Sequence, residues 1–173
     1  MDDAIRLGAL EAADAPAVAA LVRAAFAAQS VATDPPASAL RLTAGDVVDH
    51  LRGGGGGAVV RAGERIVGSV MWSAQDGGLY VARVAVDPAF RRRGVAHRLL
   101  AAAEAAALGL GLPRLHLGTR LVLADNRALF ASCGFAEDGG IKHQIAVSAW
   151  VGREAGKGAS GVEWEYYDDS ARL

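Results

Sequence analysis

The sequence is short of cysteine, of charge imbalance and of long apolar runs, and each shortage removes a class of answers. Cys133 is the one cysteine in 173 residues, so no intrachain disulfide can form. No Cys/His pair has the spacing of zinc ligands, and no metal is expected. Lys and Arg total 18 against 19 Asp and Glu, a formal net charge of −1. That balance gives no global pull toward nucleic acid or an anionic membrane. No apolar stretch reaches ~18 residues without a charge, so no membrane-spanning helix is expected. The start, Met1 to Arg6, lacks a basic segment followed by an apolar core, so no signal peptide is read there. The expected location is the cytoplasm. No internal repeat is visible. Gly53–Gly57 is a run of glycines without a following Gly-Lys-Ser/Thr, and reads as a flexible connector leaving a helix rather than a phosphate loop.

What is present is an apolar fraction of 52% with 21% charged residues. That is the composition of a globular chain, long enough to bury a sizeable core as a single domain over residues 1–173. Ile5 to Leu10 reads as a first strand. Asp14-Ala15-Pro16 offers an N-cap with proline in the first turn, and Val18, Leu21, Val22, Ala25 and Phe26 recur at helical spacing, which predicts an amphipathic helix over 14–28. Residues 29–42 read as a loop. Thr43 caps a second helix to Leu51, with Asp46 placed for a capping box. Ala58–Arg61, Arg65–Trp72 and Leu79–Val86 are three consecutive strands separated by Ala62-Gly63-Glu64 and Gln75-Asp76-Gly77-Gly78, and are expected to pair antiparallel. A helix over 94–107 buries Val95, Leu99, Leu100 and Ala103, and Gly109, Gly111 and Pro113 end it. Leu115 and Leu117 alternate with Arg114 and His116 in a strand. Asp125 or Asn126 then caps a short helix stopped by Gly134. Ile145–Val151 and Val162–Tyr167 are expected as strands around the loop Gly152–Gly161.

The chemistry concentrates where the strand Tyr80–Val86 runs through Asp87-Pro88 into Arg91-Arg92-Arg93-Gly94-Val95-Ala96. A helix start carries unpaired N–H groups and partial positive charge, and anions bind there. Gly94 permits close backbone approach and Ala96 keeps the first turn narrow. Three arginines at this end of a helix each cost up to about 1 kcal/mol, so an anion is needed to explain them. Their forked donors suit a diphosphate.

Arg91-x-x-Gly94-x-Ala96 resembles the signature Arg/Gln-x-x-Gly-x-Gly/Ala of the GCN5-related N-acetyltransferase (GNAT) superfamily. Val84-Ala85-Val86-Asp87-Pro88 is similar to that family's cofactor-binding strand, and Leu99-Leu100 to its helix core. Asn126-Arg127-Ala128-Leu129-Phe130 with Cys133-Gly134-Phe135 is similar to its second motif. The order of elements over residues 5–135 fits its β-α-α-β-β-β-α-β-α pattern. The resemblance implies an α/β (α+β) fold with a mixed, centrally splayed sheet and helices on both faces. It implies acetyl-CoA as co-substrate, with the pantetheine arm paired to the backbone of Val84, Ala85 and Val86. The pyrophosphate would lie against Arg91, Arg92, Arg93, Gly94, Val95 and Ala96, with His97 at its edge and Asn126 touching the arm. A backbone N–H of the Val84–Val86 strand would meet the thioester oxygen. The acetyl group would pass by direct attack to a primary amine of a small molecule or peptide. The resemblance also allows a homodimer.

Three features depart from the family's pattern, one being that Asn126 stands only eight residues before Gly134, closer than in many relatives. Phe130 stands where many relatives carry a tyrosine that protonates the departing sulfur. A thiol of pKa about 8.5 already leaves tolerably near neutrality, so Phe130 does not exclude catalysis. Where relatives place a glutamate on the cofactor strand, this chain offers Tyr80, taken as the candidate proton-handling or substrate-orienting group. Asp87, beside proline, is expected to shape the turn. His116 reads as a surface strand histidine, His50 and His143 have no identifiable partner, and Cys133 has no activating neighbour. Trp72, Trp150 and Trp164 read as core or rim. Substrate selection is expected from 29–42 and 136–167. With no acidic cluster a polyamine is not expected, and with no peptide-groove signature neither is a histone or ribosomal protein. A non-catalytic acyl-CoA sensor and a transferase using a longer acyl-CoA stay open as alternatives.

Overall fold

Alternation along the central strands directs side chains to two separate cores. The computed structural model describes residues 4–28, 38–120, 124–141 and 144–150. In strand β2 (Gly56–Ala62), Ala58, Val60 and Ala62 point to one core while Val59 points to the other. The chain runs through β1 (Ile5–Ala9), helix α1 (Ala15–Ala27), α2 (Ala44–Arg52), β2, β3 (Arg65–Gln75), β4 (Gly78–Val86), α3 (Val95–Gly109), β5 (Arg114–Arg120), α4 (Ala124–Ser132), β6 (Ala136–Ile141) and β7 (Gln144–Trp150). The strands form one sheet in the order β1-β2-β3-β4-β5-β7-β6. Every neighbouring pair is antiparallel except β4 and β5, which are parallel.

Helices cover both faces. On one, α3 buries Val95, Leu99, Leu100, Ala103 and Ala107 against Leu79 and Val81 of β4, Leu115 and Leu117 of β5, and Phe130 of α4. On the other, α1 buries Val18, Ala19, Val22 and Ala25, and α2 buries Val47, against Val59, Met71 and Ala85. A sheet covered on both sides explains why its central strands are apolar almost without interruption.

Local chemistry sets the ends of these elements. Thr43 and Asp46 form the expected capping box on α2: Asp46 N–H donates to Thr43 Oγ1 at 3.1 Å, and Thr43 N–H to Asp46 Oδ2 at 2.8 Å. Asp76 (φ 51°) and Gly77 (φ 70°) join β3 to β4, the paired positive φ that a two-residue hairpin demands. Asp14 does not cap α1 with its side chain. Its carboxylate accepts instead from the Glu11 N–H and pairs with Arg61 of β2 at 2.5 Å, tying the start of α1 to the sheet. Neither Asp125 nor Asn126 precedes α4, because that helix begins at Ala124 and takes both into its first turn.

The glycine run is also not the loose connector expected. Gly53 and Gly54 close α2, but Gly56 and Gly57 are already in β2. A Cβ at Gly57 would lie 2.5 Å from the Val70 carbonyl oxygen, and one at Gly55 would lie 2.3 Å from the His50 ring. At Gly55, Gly56 and Gly57 neighbours leave no room for a side chain, while Gly54 supplies a positive φ of 88°. His50 has a partner after all, with Nε2 2.9 Å from the Gly56 carbonyl oxygen. His143, Gly152–Gly161 and the expected strand Val162–Tyr167 lie outside the described residues.

Candidate active site

The parallel pair at the middle of the sheet separates almost as soon as it forms. β4 and β5 share register at Leu79↔Leu115 and Tyr80↔His116 and nowhere beyond. From Val81 to Val86 the edge of β4 that faces β5 has no strand partner among the described residues. Backbone amides and carbonyls along such an edge need partners from another extended chain. Gly118 of β5 lies beyond the separation, and a Cβ built there meets nothing within 4 Å, so the sheet face is uncovered at that point.

A bulge in β4 sits beside this gap. Ser69 pairs with Ala85 and Met71 with Ala82, so two steps on β3 are matched by three on β4. The extra step brings Arg83 to φ 55°, a left-handed conformation that costs a non-glycine residue roughly 1–2 kcal/mol. Arg83 is half-buried, and its Nε is enclosed without a hydrogen-bond partner among the described residues. Sequence reasoning passed over this residue. The available signal was a cation inside the otherwise apolar run Val81–Val86.

Past Val86 the chain turns into α3. Asp87, buried at 9% exposure, accepts from the Ala89 N–H at 2.9 Å and pairs with Arg65, so it shapes the turn as the proline beside it suggested. Arg92 (φ 60°) and Gly94 (φ 75°) are both left-handed, and Gly94 has no side chain with which to cap α3. The first-turn amides of Val95, Ala96 and His97 therefore have no intrahelical acceptor. Left-handed residues alternating with others curl a backbone so that its N–H groups converge, an anion-binding concavity. Arg91, Arg92 and Arg93 are exposed around it, and the Arg93 guanidinium lies 5.1 Å from the centre of the Phe90 ring. Unpaired amides, three exposed guanidinium groups and a strand edge unpaired among the described residues fit a pyrophosphate with an extended arm.

α4 borders the same turn. Ser132 Oγ donates to the Leu129 carbonyl at 2.6 Å, which leaves the oxygen to accept from His97 Nε2–H at 3.2 Å and ties α3 to α4. Asn126 is half-buried in the first turn of α4. Phe130 is buried against Phe135, ring centres 5.8 Å apart, so at this position a core side chain replaces any proton donor. Burial pushes the Cys133 thiol up, away from nucleophilic use, with a weaker opposing effect from Ser132.

Tyr80 stands at the apex, where β4 and β5 last pair. Its ring centre is 5.5 Å from that of His116. His116 is not the surface histidine expected: it is 2% exposed. Burial lowers its pKa to about 4, assisted by the Arg114 cation and opposed by Asp76, so the ring is neutral at physiological pH. Tyr80 and His116 lie on the α1/α2 side of the sheet, since their neighbours Leu79, Val81, Leu115 and Leu117 all enter the α3-side core. The structure thus brings Tyr80 together with Val84–Val86 on one strand. Arg91–His97 lies at the far end of that strand, and Asn126 lies on the neighbouring helix.

Comparison with known proteins agrees with this architecture. The family model described as "Acetyltransferase (GNAT) family" matches residues 20–135. No curated protein sequence matches the chain. Among solved structures, PaiA N-acetyltransferase of Thermoplasma acidophilum in complex with coenzyme A superposes with a TM-score of 0.72 at 12% identity, covering 85% of this chain and 99% of that one. YncA of Salmonella typhimurium, solved with its cofactor acetyl-CoA, gives 0.68 at 17%, covering 91% and 99%. The ribosomal-protein-S18-alanine N-acetyltransferase of Escherichia coli gives 0.67 at 18%, covering 95% and 100%. The family model spans two thirds of the sequence and includes the splayed strands and the arginine-rich turn: the chain belongs to the GNAT family of acetyltransferases.

Proposed function

We propose that the chain transfers an acetyl group from acetyl-CoA to a primary amine by direct attack. The observation that carries this reading is the coincidence of two features. Pairing between β4 and β5 stops after Tyr80 and His116, and the same strand then leads into the amide-rich turn Arg91–His97. In this reading the turn and the three arginines hold the pyrophosphate. The unpaired edge of Val84, Ala85 and Val86 holds the pantetheine arm as an added strand, and Asn126 and His97 flank it from α4 and α3. Acetyl-CoA supplies an acetyl group already activated as a thioester. The backbone N–H groups near the bulge stabilise negative charge as it develops on the carbonyl oxygen.

The acceptor approaches from the α1/α2 side, where Tyr80 stands. An alkyl amine of pKa about 10.4 is neutral in roughly one molecule in 2,500 at pH 7, a handicap of about 4–5 kcal/mol. Tyr80 orients the amine and handles its proton, and the neutral His116 ring beside it adds no positive charge against an approaching ammonium. The buried Phe130 leaves the sulfur to depart as thiolate or to take a proton from water.

The test follows free thiol during incubation with acetyl-CoA and a panel of amines. Amine-dependent release is expected, and replacing Arg91 and Arg93 together by alanine should weaken CoA binding at least tenfold. Saturable CoA binding with no amine-dependent release would favour a non-catalytic sensor, and unchanged affinity in the double variant would refute the placement of the pyrophosphate.

A further inference from the structure

The acetyl-transfer reading leaves Arg83 without work. Its backbone is strained at φ 55° in the bulge, its Nε is enclosed without a hydrogen-bond partner, and it makes no ion pair among the described residues. A half-buried guanidinium gives up hydration, and with no anion beside it that loss is uncompensated. The pleat locates it. Ala82 shares register with Met71, and Met71 and Ala85 both enter the core under α1 and α2, whereas Val84 packs toward α3. Arg83 is the additional residue between Ala82 and Ala85. Its charge is felt by Asp46 of α2, whose carboxyl is lowered first by the Thr43 backbone N–H, then by the Thr43 side chain, with Arg83 acting in the same direction. The guanidinium therefore lies on the α1/α2 side, three residues along β4 from Tyr80. The anion-binding turn belongs to the opposite side, at the start of α3. A cation placed here is separate from the three arginines of that turn.

We infer that the acetyl acceptor carries an anionic group, a carboxylate or phosphonate, near its amine, and that Arg83 holds it while the amine faces the gap between β4 and β5. This rests on the acetyl-transfer reading and names the acceptor class within it. A guanidinium fork matches a carboxylate through paired hydrogen bonds. The strain then has a use: the bulge turns a cation out of an apolar strand toward the place where the acceptor must sit.

The experiment uses the full chain and matched acceptors: α-amino acids, ω-amino acids, aminoalkylphosphonates and short peptides, each against its carboxamide or neutral counterpart. Thiol release should concentrate in the anionic members. Arg83→Asn keeps a side chain that tolerates positive φ and removes the cation. It should raise KM for the anionic acceptor at least tenfold with a smaller change in kcat, and abolish the preference over the neutral partner. Arg83→Lys should restore part of it. CoA affinity should be the same in all three proteins, which separates the two readings. Loss of CoA binding in the unmutated chain would overturn acetyl transfer itself. Normal CoA binding with no amine used would likewise overturn acetyl transfer, whereas normal CoA binding with equal use of anionic and neutral amines, or with the preference intact in Arg83→Asn, would overturn this inference alone.

Discussion

His116 is a buried base with a lowered pKa, and that makes folding depend on pH in a definite direction. The unfolded chain binds a proton there below pH ~6.5, while the folded chain resists until about pH 4. Between those values the unfolded state holds more protons, so stability falls as the pH falls through the window and is fully present above it. His116→Phe keeps a ring in the core and removes the titration. Urea midpoints measured from pH 7 to pH 4 should decline more steeply in the parent than in the variant; parallel curves would show that the imidazole contributes nothing. The burial of His116 was hidden in the sequence because alternation with Leu115 and Leu117 assigns it a face but does not reveal what covers that face. Gly78 and Tyr80 of the neighbouring strand β4 lie against it. Phe130 was legible for the opposite reason: its absence of a hydroxyl is written in the residue type.

Among the elements, close contacts make sharper predictions than propensities. A Cβ at Gly57 would fall 2.5 Å from the Val70 carbonyl and 2.7 Å from Leu10 Cδ2, and a backbone carbonyl in mid-sheet cannot step aside. Gly57→Ala should therefore lower stability by about 1–3 kcal/mol in urea unfolding. Thr43→Ala removes one half of the capping box and should cost about 1 kcal/mol by the same measurement, leaving CoA affinity unchanged. Strands β2, β3 and β4 and helices α1, α2 and α3 were legible, because β-branched runs, helical spacing and turn pairs such as Asp76-Gly77 agree with one another. β6 (Ala136–Ile141) was not: its sequence Ala-Glu-Asp-Gly-Gly-Ile has little strand character, and it is held by pairing with β7. The glycine run misled because glycine marks both loose loops and tight approaches, and the sequence does not show that the Val70 carbonyl and Leu10 close on Gly57.

At the scale of the whole molecule, two cores clamp a sheet whose middle pair is open, and a ligand seated in that opening should lock the halves together. Saturating acetyl-CoA should raise stability by about 2.7 kcal/mol at a hundredfold excess over Kd, a Tm shift of roughly 5–10 °C. Because the arginines of the turn are exposed, the shift should shrink as salt rises past ~0.1 M. The sequence displayed the proposed anion site, since Arg91–Ala96 is contiguous, but not the bulge, since register belongs to two strands together. Arg83 therefore entered through the structure and Tyr80 through the sequence. The most direct measurement is the crystal structure of the chain with acetyl-CoA. The account predicts the pyrophosphate against the amides of Val95, Ala96 and His97, the arm along Val84–Val86, and the acetyl group at the apex beside Tyr80. Coenzyme bound away from the opening between β4 and β5, or not bound at millimolar concentration, would contradict it.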